Sequence, residues 1–312
     1  MNFKKECEDI VNLKNYNPKT LYLVKVINDT SGFLFLDGSI LFISKSKSKH
    51  SIPGSTTKFL DLKIHQFIRT EEINPFLKND FYDLLIYKSI DEDKYLNSFI
   101  ELCKLYEQSD KIISFEDFFN SLTLLFSPEK TDTIEDVIGL FGELYLIWYL
   151  NKYFNFSIKE FWHNGWGTND HYDFALNNFN VEVKTTLGQD MRILIKHEQV
   201  FNFKNNYICI VNVKNDNSGD SIFDICKKIR ENREFNNDIQ FMTKLEKEIL
   251  RVNRDDYNSK KFSVVKLNFY KNKDLKTLEN IPEMIDSIKY YYDFIGQPKL
   301  SLDELKLLFK NH

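Results

Sequence analysis

The chain has 312 residues, of which 42% are hydrophobic and 28% charged, a composition typical of a folded protein with one large core or two smaller ones. The net charge of −4 argues against a surface that is basic overall, although it leaves room for a local basic groove. Four widely spaced cysteines without a CxxC pair favour neither a zinc knuckle nor a disulfide framework, and the acidic first residues favour a cytoplasmic protein that is not exported and does not enter a membrane.

The first ninety residues are predicted to form a small, mostly antiparallel sheet. Segments rich in β-branched and aromatic residues alternate there with turn formers such as those at 28–32 and 53–54. The predicted strands cover residues 21–27, 33–37, 39–44, 58–66 and 81–87. We therefore expect an N-terminal β-rich region at 1–90.

The rest of the chain is predicted to contain connecting helices at 91–130 and an α/β core at 131–312 that includes a C-terminal α/β extension. A long apolar helix is expected at 133–150, and a final helix is expected to begin at Ser301, whose spacing to Glu304 fits a capping box. Between them, strands are predicted at 172–186 (two), 191–195, 207–213, 262–270 and 288–294, with helices at 221–232 and 238–252.

The segment 171–186 is predicted to form a β-hairpin. A two-residue turn at 177–178 makes Phe174 face Val181 across the two strands. The apolar pairs then share one face of the hairpin, and the polar residues of both strands share the other.

The polar face of this hairpin carries the strongest chemical signal in the sequence. In the same register Asp173 faces Glu182, and Lys184 lies on the same face because it follows Glu182 by two residues. Two carboxylates directly opposite each other repel, and a bound divalent metal would supply the compensating charge. The alternative is a surface hairpin in which Lys184 simply neutralises Glu182.

The helix expected at 133–150 contributes one further carboxylate. Its second half is apolar nearly all round apart from Glu143, and a buried carboxylate without a partner is costly. If Glu143 has a functional role, its partner is a metal ion or a water molecule bound to the metal. If its role is structural, it pairs with a core lysine, or its carboxyl group is protonated and hydrogen-bonded.

Other polar and aromatic side chains near this region leave two interpretations open. Arg192 and Gln199 could reach a phosphate or a base from the rim of a cleft, or they could be ordinary surface residues. Trp162 and Trp166 could stack on an unpaired base, or they could pack the loop that leads to Asp173.

A helix with one buried Glu, then Asp, then Glu-x-Lys, then a strand and a helix is the order of the PD-(D/E)XK nuclease core. The chain also resembles a bacterial family of PD-(D/E)XK proteins found near phage-defence and restriction genes. The matching pieces are 139–144, Trp166, 173–174, 181–186, Arg192, 198–199 and 288–292. The resemblance is close over 133–200 and loose over the rest, and Tyr172 stands where the motif has proline.

The resemblance implies a restriction-endonuclease-like fold, with a mixed central sheet flanked by helices, Mg²⁺ dependence with Mn²⁺ as a substitute, and action on DNA. Asp173 and Glu182 would bind the metal, Glu143 would assist through metal or water, and Lys184 would align the attacking water. These expectations predict a DNA endonuclease of a restriction or antiviral defence system, with DNA and other subunits of that system as partners. The alternative is a catalytically silent DNA-binding or adaptor subunit.

Overall fold

The computed structural model describes residues 3–51, 53–69, 78–88, 93–109, 113–126, 133–162, 172–188, 191–200, 205–252, 259–278, 281 and 288–310. These residues form a mixed α/β protein. They group into two compact units, residues 1–129 with 233–250 and residues 130–232 with 251–312. The sequence-based division at residues 90 and 130 into separate regions stays a prediction. Within the described ranges, every helix is too short or too polar to cross a membrane.

The helices and strands are numbered in chain order. The strands are β1 (Tyr22–Asn28), β2 (Ser31–Leu36), β3 (Ser39–Lys45), β4 (Ser55–Thr56), β5 (Leu60–Ile68), β6 (Asp80–Tyr87), β7 (Phe174–Ala175), β8 (Asn180–Leu187), β9 (Arg192–Lys196), β10 (Asn206–Asp220), β11 (Phe262–Lys271) and β12 (Lys289–Asp293). The helices are α1 (Phe3–Val11), α2 (Asp93–Gln108), α3 (Phe115–Thr123), α4 (Ile134–Phe154), α5 (His197–Val200), α6 (Ile222–Arg230), α7 (Arg233–Asn236), α8 (Ile239–Val252) and α9 (Leu302–Lys310).

The first unit is built on an antiparallel sheet with the strand order β1-β2-β3-β6-β5-β4. The strands predicted in this region are confirmed to within two residues at each end. Phe42 of β3 packs against the ring of Phe118 of α3, with their centroids 6.4 Å apart. Helix α8 joins this unit although it comes late in the chain, and the buried Glu246 of α8 accepts a hydrogen bond of 2.9 Å from Ser98 of α2.

The second unit is built on a mixed sheet with the strand order β11-β10-β8-β7. Strands β8 and β10 run parallel, whereas the other neighbours run antiparallel. The first eight residues of β10 are all buried. A continuous buried run of this kind is typical of a central strand covered on both faces.

Helix α4 packs against β8 and carries the long apolar stretch that the sequence predicted. It begins after Thr133, whose side chain forms a capping box with Asp136. Gly142 of α4 allows a close approach, since a Cβ atom built there would overlap the side-chain oxygen of Thr185 of β8 and lie 3.1 Å from its Cβ. A glycine inside a helix lowers the stability of the fold by about 1 kcal/mol relative to alanine. The close contact between α4 and β8 explains why glycine is present here.

Strands β9 and β12 pair antiparallel and form a separate two-stranded sheet. Ile193 and Ile195 of β9 pack in a cluster with Ile208 and Ile210 of β10. The strand predicted at 191–195 is therefore present, but it pairs with a segment from the end of the chain and not with its neighbour in sequence.

The final helix α9 begins as the sequence predicted. Ser301 and Glu304 exchange the hydrogen bonds of a capping box. Phe309 at the other end of α9 packs against the rings of Phe156 and Phe269, at centroid distances of 5.0 and 5.7 Å. The helix thereby closes one end of the second unit's core.

We expect Gly142→Ala to lower the free energy of unfolding by about 1–3 kcal/mol, because the added methyl group overlaps Thr185. Gly139→Ala in the same helix is the matched control, since a Cβ there meets nothing within 4 Å. Gly139→Ala is expected to raise the free energy of unfolding by about 0.5–1 kcal/mol. Chemical denaturation measures both, and a stability gain in Gly142→Ala would refute the close approach.

Candidate active site

The hairpin that carries the candidate site has the register predicted from its turn. Phe174 lies opposite Val181 and Ala175 opposite Asn180. The backbone N–H of Leu176 donates to the carbonyl of Phe179 at 3.0 Å, which closes the turn. Strand β7 has only two residues, so Asp173 stands just before it.

Asp173, Glu182 and Lys184 are brought together at this hairpin. Oδ2 of Asp173 accepts a hydrogen bond of 2.7 Å from the backbone N–H of Val183. Glu182 is 4% exposed, and its Oε1 accepts from Nζ of Lys184 at 2.5 Å. The Glu182 carboxylate is therefore not on the surface, although Lys184 pairs with it as the alternative interpretation expected.

Gln199 holds the Glu182 carboxylate from the other side. Its Nε2 donates to Oε1 of Glu182 at 2.5 Å, and its own Oε1 accepts from the backbone N–H of Lys196 at 3.0 Å. Asn272 donates to the backbone carbonyl of Gln199. The sequence interpretation placed Gln199 on a rim, whereas its side chain is 4% exposed and lies inside the site.

The partner of Glu143 is the indole of Trp162, which sequence reasoning did not consider. Nε1 of Trp162 donates to Oε2 of Glu143 at 2.7 Å. The ring is 1% exposed, so Trp162 packs inside the protein and is not available to stack on a base. Trp166 lies outside the described residues.

Tyr172, which replaces the motif's proline, anchors the entry to β7. Its hydroxyl donates to the backbone carbonyl of Glu198 in α5 at 3.2 Å and accepts from Nδ2 of Asn206 at 2.7 Å. The tyrosine therefore fixes the position of the strand by hydrogen bonds. Arg192 lies at the start of β9 with an exposed side chain.

The three carboxylates act on one another electrostatically. Burial, followed by the charges of Glu143 and Glu182, holds the pKa of Asp173 well above its usual range. Burial also raises the pKa of Glu182, although the neighbouring Lys184 opposes that rise. The positive charge of Lys184 therefore offsets the effect of burial on Glu182 only in part.

The donor set fits a hard divalent cation in its chemistry and charge. Within the described ranges, no hydrogen bond engages Oδ1 of Asp173 or Oε2 of Glu182, so each carboxylate keeps one oxygen for a ligand. Carboxylate oxygens are the ligands that Mg²⁺ prefers. In the same part of the chain, however, no three His, Cys, Asp or Glu side chains already form a metal-binding cluster. Lys184 and Gln199 bond one oxygen of Glu182, and Trp162 bonds one oxygen of Glu143.

Comparison with known families gives one match. The model of the family described as "Putative PD-(D/E)XK family member, (DUF4420)" matches residues 43–294, which is most of the chain and includes Glu143, Asp173, Glu182 and Lys184. The match confirms the resemblance seen in the sequence. No curated protein and no solved structure matches the chain.

We expect Asp173→Asn to raise the melting temperature of the metal-free protein at about pH 8 and to leave it near the wild-type value at about pH 4. Because the folded-state pKa of Asp173 is raised, the native state binds the extra proton, and stability falls as pH rises through that pKa. Asparagine does not ionise, and its side-chain oxygen still accepts the Val183 N–H. The expected rise is a few degrees, since about 1 kcal/mol corresponds to roughly 2–4 °C.

Asp216→Asn is the control with the opposite sign. Hydrogen bonds from Ser218 and then Ser263 lower the pKa of Asp216, so its contribution to stability is present at neutral pH and lost in acid. The control variant should melt below the wild type at neutral pH and approach it as pH falls. A melting temperature of Asp173→Asn below the wild-type value at about pH 8 would contradict the electrostatic account of the site.

Proposed function

This chain belongs to the DUF4420 family, and from that membership together with its buried acidic site we propose that it is a divalent-metal-dependent DNA endonuclease with a restriction-endonuclease-like core. The observation that carries the proposal is the buried pair of Asp173 and Glu182, with Lys184 bonded to one of them and Glu143 close enough to raise the pKa of both. We place its action in the cytoplasm, within a restriction or phage-defence system.

Asp173 and Glu182 would hold Mg²⁺ or Mn²⁺ through the oxygens that protein donors leave open. When bound, the cation supplies charge compensation for the carboxylates and polarises the phosphate and the attacking water. Glu143 would contact the same ion or a water molecule beside it. Trp162 keeps the Glu143 side chain in that direction by its bond to Oε2.

Lys184 would align the nucleophile and offset the negative charge that develops on the phosphate. In the reaction, a water molecule would lose a proton to solvent as its oxygen forms a new bond to phosphorus, the bridging P–O bond would break, and the leaving oxygen would take up a proton from solvent. Gln199 acts as a positioning residue, because its amide fixes the orientation of Glu182. The site thus offers binding, orientation and charge stabilisation from four neighbouring segments of the chain.

The second candidate is a silent DNA-binding or adaptor subunit. The specific observation in its favour is that Lys184 and Gln199 already satisfy one oxygen of Glu182. A purely binding module, however, has no physical need for clustered carboxylates that face an anionic ligand. Burial and then its acidic neighbours raise the pKa of Asp173, and a bound cation would offset the repulsion among the carboxylates.

Titration calorimetry with Mg²⁺ and Mn²⁺, beside a plasmid-cleavage assay, tests the proposal. We expect Asp173→Asn and Glu182→Gln to weaken metal binding by at least about tenfold and to abolish cleavage. Lys184→Met should keep the metal and lose roughly 10²–10³-fold in cleavage rate, because it removes a donor to the transition state. Metal binding should also release protons, since it lowers the pKa of Asp173.

Asp303→Asn is the control, because that side chain is 91% exposed on α9. It should bind metal and cleave DNA as the wild type does. If the wild type binds neither metal with or without DNA, the nuclease proposal fails and the adaptor takes its place. If Asp173→Asn and Glu182→Gln bind metal normally, the assignment of the site is wrong.

A further inference from the structure

The two-stranded sheet of β9 and β12 has one covered face and one bare face. Exposed and covered residues alternate strictly along both strands. The inward residues Ile193, Ile195, Tyr290 and Tyr292 pack on the core of the second unit. We call the outward set the ribbon face. It consists of Arg192, Leu194 and Lys196 of β9, with Lys289, Tyr291 and Asp293 of β12.

Two like charges lie directly opposite each other at one end of the ribbon face. Lys196 pairs in register with Lys289, and such a pair is destabilising in an isolated sheet. In the described ranges neither lysine has an acidic side chain within ion-pair distance. The arrangement therefore favours an anion that bridges the two ammonium groups.

The middle of the ribbon face is apolar and exposed. Leu194 lies opposite Tyr291, and their side chains are 47% and 69% exposed. Arg192 follows at the other end, opposite Asp293. An apolar centre beside the two cations Lys196 and Lys289 matches the neighbouring sugar and phosphate of a nucleic-acid strand, and a two-stranded ribbon has the width of a DNA groove.

One end of the ribbon face lies close to the candidate active site. Strand β9 runs directly into α5, and the backbone N–H of Lys196 bonds the side chain of Gln199, which in turn bonds Glu182. Lys196 is also close enough to Glu182 to act on its charge. A DNA strand on the ribbon would therefore lead toward the carboxylates.

We propose that the ribbon face of β9 and β12 binds the backbone of double-stranded DNA next to the candidate active site, with Lys196 and Lys289 on phosphates and Tyr291 against the sugar. The inference rests on the proposed function in taking DNA as the ligand. It does not depend on cleavage, so binding alone tests it.

The test is fluorescence anisotropy of a labelled short duplex with the full chain, carried in the Asp173→Asn background so that no hydrolysis interferes. Lys196→Ala with Lys289→Ala should weaken binding roughly tenfold or more at about 0.1 M salt and reduce the slope of log K against log [salt] by about 2. Tyr291→Ser should lower the affinity several-fold and leave the slope unchanged, because it removes no charge.

Matched controls come from the same unit. Lys214→Ala with Lys266→Ala removes two lysines from the exposed parts of β10 and β11, and Tyr153→Ser changes a tyrosine that is 58% exposed. Both controls should keep the parent affinity and slope. The ribbon variants should also fold like the parent, with the same circular dichroism spectrum, because their side chains point outward.

Several outcomes separate this inference from the nuclease proposal. A lysine variant that binds with the parent slope overturns the inference, even if the wild-type protein cuts DNA. If single-stranded DNA binds more tightly than the duplex, double-stranded DNA is the wrong ligand for the ribbon face. Ribbon-dependent binding by a chain that cuts nothing supports the inference while the nuclease proposal fails.

Discussion

The buried charge of Glu182 is the constraint on which the rest of the site depends. A carboxylate that is 4% exposed is tolerated only if donors satisfy it, and Lys184 and Gln199 both bond its Oε1. Gln199 is held in turn by the backbone of Lys196 and by Asn272, which follows β11. One acid on β8 therefore ties together the central sheet, the start of α5 and the segment after β11. Substitution of Lys184 or Gln199 would therefore disturb all three segments, because both side chains bond the same oxygen of Glu182.

The site places the buried carboxylate of Asp173 close to those of Glu143 and Glu182. Glu143 reaches the site from α4, which the absence of a side chain at Gly142 brings close to β8. Burial, and then the charge of Glu143 and that of Glu182, raise the pKa of Asp173. Such an arrangement lowers the stability of the folded chain. Groups with raised pKa values of this kind are concentrated at functional sites, where a bound ligand can offset the loss of stability. The same physical fact thus explains why the site is unfavourable without a cation and why a cation would bind there.

The hairpin of the site could be predicted from the sequence, because its information is local. A two-residue turn and the alternation of apolar residues fixed the pairing of Phe174 with Val181. The hydrogen bonds of Trp162 to Glu143 and of Gln199 to Glu182 were missed, because they join residues 17 to 19 positions apart that no local sequence pattern connects. The burial of Glu143 gave only the signal that a partner was needed. The pairing of β9 with β12 and the packing of α8 in the first unit were equally hidden, because each joins segments that are distant in the chain.

An acidic site and an anionic substrate repel each other, so the proposed nuclease activity of a chain with net charge −4 requires a local surface that attracts phosphate. The period of a β-strand provides that surface without weakening the core. Ile193 and Ile195 face inward, while Arg192 and Lys196 of the same strand face outward. The apolar residues pack the sheet of β9 and β12 onto the second unit, while Arg192 and Lys196 remain on the ribbon face. A helix in this position would spread the same residues around its axis and could not separate the two roles as completely.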